Sequence, residues 1–62
     1  MNKLIEKLIR FDREADLSLL TETFGEYGKA IYKDMKDYGI LSTLHYMSEE
    51  NRLKLEGLIK DF

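Results

Sequence analysis

Residues 18–39 read SLLTETFGEYGKAIYKDMKDYG, and this stretch decides the fold. Leu20, Phe24, Tyr27, Ile31 and Tyr38 follow at steps of 4, 3, 4 and 7, a heptad-like apolar seam. Asp34 stands where the seam expects an apolar residue, and Met35 beside it fills in. Glu22, Glu26, Lys29, Lys33 and Lys36 run along the opposite face, acid first and base last, which suits the helix dipole. Gly39 is a stop signal, with Ile40 placed for a hydrophobic contact back onto the helix. The pattern predicts a long central helix over about 18–38. Its weak points are Gly25 and Gly28, each costing up to about 1 kcal/mol relative to alanine. Either another backbone approaches there, or the helix begins properly only after Gly28.

On the N-terminal side, Met1, Leu4, Leu8, Phe11 and Ala15 keep the 3–4 spacing of an amphipathic helix, and Ile5 and Ile9 widen its stripe. Lys3, Lys7 and Arg10 occupy the other side. Asp12 falls within the apolar arc, so fraying is expected from there on. Asp16 and Ser18 offer N-cap oxygens for the next helix. On the C-terminal side, Ser42 could cap a one-turn helix over about 42–46, and Ser48-Glu49-Glu50 is a better start for a last helix. Leu55, Leu58, Ile59 and Phe62 line one face of that helix, whereas Leu53 points to the other. No stretch alternates with period two. The fold class expected is all-α, a three-helix bundle in a single domain over residues 1–62.

Composition narrows the function. The chain has 62 residues, a net charge of −2, 44% hydrophobic and 35% charged residues, and no Cys, Pro or Trp. Disorder is therefore not expected, and disulfides, thiolate metal sites and cysteine nucleophiles are excluded. No apolar run is long enough to span a bilayer, and residues 1–13 interleave charges with apolar side chains, unlike a secretory signal. A cytoplasmic location is the default expectation. A domain this small buries only about 60% of the surface its unfolded chain exposes. It needs regular helix packing, a second copy of itself, or a partner. A homodimer is expected, with Leu20, Phe24, Tyr27, Ile31, Met35 and Tyr38 as the dimer or core seam.

Chemistry finds little to work with. His45 has no Cys or second His beside it, and Glu49 and Glu50 alone make a poor zinc set. Ser42 precedes His45 by three residues, a spacing that suits capping rather than nucleophilic catalysis. Gly25-x-x-Gly28 holds Glu26 and Tyr27 between its glycines and lacks the α/β setting of a phosphate clamp, and Gly28-Lys29-Ala30 fails as a phosphate loop. No enzyme activity, cofactor or metal is expected. A small helical DNA-binding regulator is the alternative class, but Leu41–Met47, the candidate recognition segment, holds no Lys or Arg.

Protein recognition is the class that remains. Tyr32 lies off the seam, Tyr46 beside the last junction and Leu53 off the last helix's apolar face. Tyrosines suit interface cores because they bury much area at modest entropic cost. These three residues are the expected partner contacts, with Lys3, Lys7 and Arg10 as a basic rim that steers association. In size and style the chain is similar to small helical regulators of bacteria and their phages. A regulator or inhibitor acting on a larger protein is the expectation.

Overall fold

A computed structural model describes residues 3–62, and those residues form five helices with no strand. They are α1 (Lys3–Glu14), α2 (Leu17–Phe24), α3 (Tyr27–Tyr38), α4 (Ile40–Tyr46) and α5 (Glu49–Asp61). The all-α class holds, but the architecture is five short helices rather than three. Met1, placed on the first stripe above, lies outside the described residues.

The expected long helix over 18–38 is broken at Gly25, and the reason lies in the backbone. Gly25 has φ +65° and ψ −141°, a combination open essentially to glycine alone. Its N–H closes the last turn of α2 by donating to Thr21 O at 2.8 Å. The chain then doubles back, and α2 and α3 pack against each other. Gly28 is where they meet. A Cβ built there would sit 2.4 Å from Leu20 O and 2.7 Å from Thr21 N. Both readings of the glycine pair thus hold together: the helix stops at Gly25, and another backbone approaches at Gly28.

Folding back dissolves the seam as a continuous strip. Leu20, Ile31 and Met35 are buried in the core, Phe24 is half-buried, and Tyr27 and Tyr38 are exposed. The seam's largest aliphatic side chains are covered by their own chain, so they offer no surface to a second copy. Leu20, Ile31 and Met35 thus serve the chain's own core, the other role expected of the seam.

Local signals explain the other boundaries. Asp16 caps α2, its Oδ1 accepting from Leu19 N–H at 2.9 Å, and Ser48 Oγ accepts from Asn51 N–H at 3.3 Å to start α5. Contrary to the expected fraying from Asp12, α1 continues to Glu14, because Phe11 and Ala15 on that last turn are both buried. Lys36 Nζ also donates to Asp12 O at 3.0 Å, tying α3 to the end of α1. α4 starts at Ile40, not at Ser42. Gly39 makes the junction with φ +91° and ψ 162°, again a glycine conformation. Its N–H donates to Met35 O at 2.9 Å, closing α3, and its carbonyl accepts from the N–H and the hydroxyl of Thr43, opening α4. That pairing satisfies Thr43, the one buried polar residue among those described.

One core joins all five elements. Phe11, Ala15, Leu20, Ile31, Met35, Ile40, Leu55 and Ile59 are buried together, flanked by Leu8, Leu44, Leu58 and Phe62. Phe62 meets Phe11 edge-on at 5.2 Å, bringing α5 against α1. The radius of gyration is 10.6 Å, about what a compact chain of this length should have. No helix among the described residues is long and apolar enough to cross a membrane.

Candidate functional site

The face left unused by this core lies on α1 and α4. Leu8, Phe11 and Ala15 turn inward, which leaves Ile5 and Ile9 on the flank of α1, 52% and 55% exposed. Leu41 follows the buried Ile40 at the start of α4 and is 68% exposed. Together with Leu8, Tyr38 and Ile40 they line a cleft of about 600 Å³ between α1 and the α3–α4 corner. Leu4 and Leu41 border a second cleft, on the side of Leu44 and Ile59. Leu41 is therefore a ridge with an apolar groove on either side.

Asp12 lines the first cleft, and its Oδ1 is buried without a hydrogen-bond partner among the described residues. A buried acceptor left unsatisfied costs about 1–3 kcal/mol. Arg13 lies at the same cleft's edge, exposed.

A third cleft, about 410 Å³, opens between α3 and α4. Asp34 and Tyr38 stand one turn apart on α3, and Ser42 and Tyr46 one turn apart on α4. Tyr38 and Ser42 also line the apolar cleft, so the two hollows share a wall. Asp34, expected beside the seam, is exposed in this cleft instead.

The residues expected to meet a partner are placed as follows. Tyr46 is the most exposed of the large apolar side chains and lies edge-on to His45 at 5.0 Å. Tyr32 is half-buried against the core, with Lys36 Nζ 5.4 Å above its ring. Leu53 is exposed on α5. They occupy three different helices, and the clefts gather a different set. Of the expected basic rim, Lys3 is exposed. Lys7 donates from Nζ to Lys60 O in the last turn of α5, where a cation complements the helix dipole. Arg10 lies over the Phe62 ring at 5.1 Å and within 3.5 Å of Glu14. Lys7 and Arg10 thus fasten α1 to the end of α5.

No family model, no curated protein and no solved structure matches this chain. The site must be read from its own residues.

Ile5, Ile9 and Leu41 escaped the sequence reading as contact residues. One signal was available. From Phe11 through Leu4 and Leu8 to Ile9 the apolar arc of α1 covers roughly 160°, more than the ~100° a core-facing stripe requires. The surplus edge is the exposed one. His45 is exposed, and among the described residues no group of three His, Cys, Asp or Glu side chains is placed to hold a metal ion.

Proposed function

We propose that this chain is a small non-catalytic regulator or inhibitor that binds a larger protein through the α1–α4 face. One observation carries the reading: Ile5, Ile9, Leu41 and Tyr38 stand exposed around one apolar cleft that Asp12 and Arg13 border. Contiguous apolar surface rimmed by polar groups marks interaction sites in soluble proteins. The DNA-binding alternative gains no support here, since α4 carries no Lys or Arg among its seven residues.

A second copy is the other occupant that an observation favours. Glu6 and Arg13 are exposed, lie on one side of α1 two turns apart, and flank Ile9. Neither forms an ion pair within the described residues. Two antiparallel α1 helices would bring Glu6 of each beside Arg13 of the other, a self-complementary arrangement.

The test is capture from a lysate of the source cells with wild type, Ile9→Glu and Leu53→Glu. All three should fold, because both positions are exposed. One stoichiometric protein held by wild type and Leu53→Glu but lost from Ile9→Glu supports the reading. Equal capture by all three, or nucleic acid alone, overturns it. Covering the exposed half of Ile9 is worth about 1 kcal/mol, and a glutamate there adds the cost of a desolvated charge, so the loss should reach about tenfold. Sedimentation of the free chain tests the second copy: a dilution-dependent dimer mass that Ile9→Glu abolishes supports it, and a monomer throughout refutes it.

A further inference from the structure

We infer that the α3–α4 cleft is a binding site for a cationic side chain, arginine or lysine, presented by the protein that docks on the adjoining face. The inference rests on that docking reading for its source of cation, and on separate residues for its chemistry. Asp34, Tyr38, Ser42 and Tyr46 line the cleft, and Thr43 lies at its base. Tyr46 and Tyr38 are 86% and 72% exposed, the two highest values among the large apolar side chains of the described residues. Both belong to this one hollow. A carboxylate and two aromatic rings lining one hollow are the chemistry that recognises an ammonium or guanidinium group, by charge and by attraction to the ring faces.

How this chain treats its other aromatic rings sharpens the point. Arg10 covers Phe62, Lys36 covers Tyr32 and Lys54 covers Phe24, at 5.1, 5.4 and 5.6 Å. Lys33, the basic neighbour of Asp34 in sequence, is bound instead to Asp37 at 2.8 Å. Among the described residues no Lys or Arg pairs with Asp34 or lies over Tyr38 or Tyr46. Lys33 feels the charge of Asp34 and Tyr38 from its place on Asp37 but bonds to neither, so their direct contacts stay open to another cation. Thr43 cannot compete for the carboxylate, because its hydroxyl already donates to Gly39 O at 2.9 Å. Tyr38 and Ser42 border both hollows, so a partner seated on Ile9 and Leu41 lies next to the cleft that holds Asp34.

The experiment is a backbone amide NMR titration of the whole chain with N-acetyl-arginine amide, N-acetyl-glutamine amide and tetramethylammonium chloride. Wild type, Asp34→Asn, Tyr46→Leu, Glu50→Gln and Ile9→Glu are compared, each checked for an unchanged helical spectrum. The expected result is saturable, millimolar binding of the arginine probe, with the largest shifts at Asp34, Tyr38, Ser42 and Tyr46. Asp34→Asn and Tyr46→Leu should each weaken it by at least threefold, and Glu50→Gln should not. The glutamine probe should leave these amides unmoved. Ile9→Glu should bind the arginine probe as wild type does, so failure of the docking face and failure of this cleft are told apart. Linear, unsaturable shifts, or equal binding by Asp34→Asn, would overturn the proposal. So would saturable binding of tetramethylammonium alone, which would assign the cleft to a free quaternary amine rather than to a partner's side chain.

Discussion

Exchanging glycine for alanine at positions 28 and 57 is one chemical change with opposite expected outcomes. Both residues lie inside helices, α3 and α5. At Gly57 an added Cβ meets nothing within 4 Å. Only the backbone term operates there, and Gly57→Ala should stabilise by about 0.5–1 kcal/mol. At Gly28 the new carbon would lie 2.4 Å from Leu20 O, where ordinary contact begins at 3.4 Å. Relief requires α2 and α3 to separate by about 1 Å, and the obstructing atoms are main chain, which cannot rotate away. Forcing a methyl group into close packing costs roughly 1–3 kcal/mol and sometimes more. Backbone against backbone belongs at the upper end of that range. Subtracting the helix-propensity gain of about 1 kcal/mol leaves a net loss of about 1–3 kcal/mol. A chain of this size has only about 3–9 kcal/mol of stability in total. Each kcal/mol moves Tm by about 4–8 °C in a domain this small. Circular dichroism melts should therefore place Gly28→Ala some 5–20 °C below wild type and Gly57→Ala a few degrees above it. The sign at position 28 is decisive. Had residues 18–38 formed one straight helix, alanine would stabilise at both positions. A Gly28→Ala chain melting at or above wild type would refute the hairpin.

Two further outcomes are expected. Phe11 is fully buried and carries the edge-on contact with Phe62, so Phe11→Ala should cost about 3–5 kcal/mol, comparable to the whole stability; a cooperative melt within a few degrees of wild type would contradict the shared core. Lys33 is held protonated above the ordinary lysine range by its hydrogen bond to Asp37 and then by the charge of that carboxylate. With its pKa higher folded than unfolded, the pair's contribution is full below the unfolded-state value and is lost as pH rises through the folded one. The pair is exposed, so the effect is small and weakened by salt. Asp37→Asn should let Lys33 deprotonate at lower pH in a side-chain NMR titration, and an unchanged titration would count against the pairing.

Much of this fold is legible one residue at a time. Asp16 and Ser48 cap the helices they were expected to cap, because an N-cap needs only its own side chain and a backbone N–H three residues on. Gly39 stops α3 and Ile40 buries itself beside it, as local backbone chemistry requires. Leu55 and Ile59 face inward and Leu53 outward, as the helical period alone dictates. The contact face was harder to read. Tyr46 and Leu53 are exposed as expected, yet exposure by itself does not say which side chains share a hollow.

Periodicity marks the apolar sides of helices but cannot say where a chain turns back. The steps from Leu20 to Tyr38 fit one long seam equally well whether or not the backbone reverses at Gly25. What separates the two is the gap at Gly28, a distance between residues eight apart in sequence that exists only once α2 and α3 have met. Which edge of the wide α1 stripe stays outside is likewise settled by what packs on it, α5 on one side and only the short α4 on the other. From the sequence alone come the helical class, the caps and the breaks available to glycine. Tertiary packing selects which break becomes a reversal and which isoleucines stay exposed. Those outcomes depend on distances across the fold, and no local pattern encodes them.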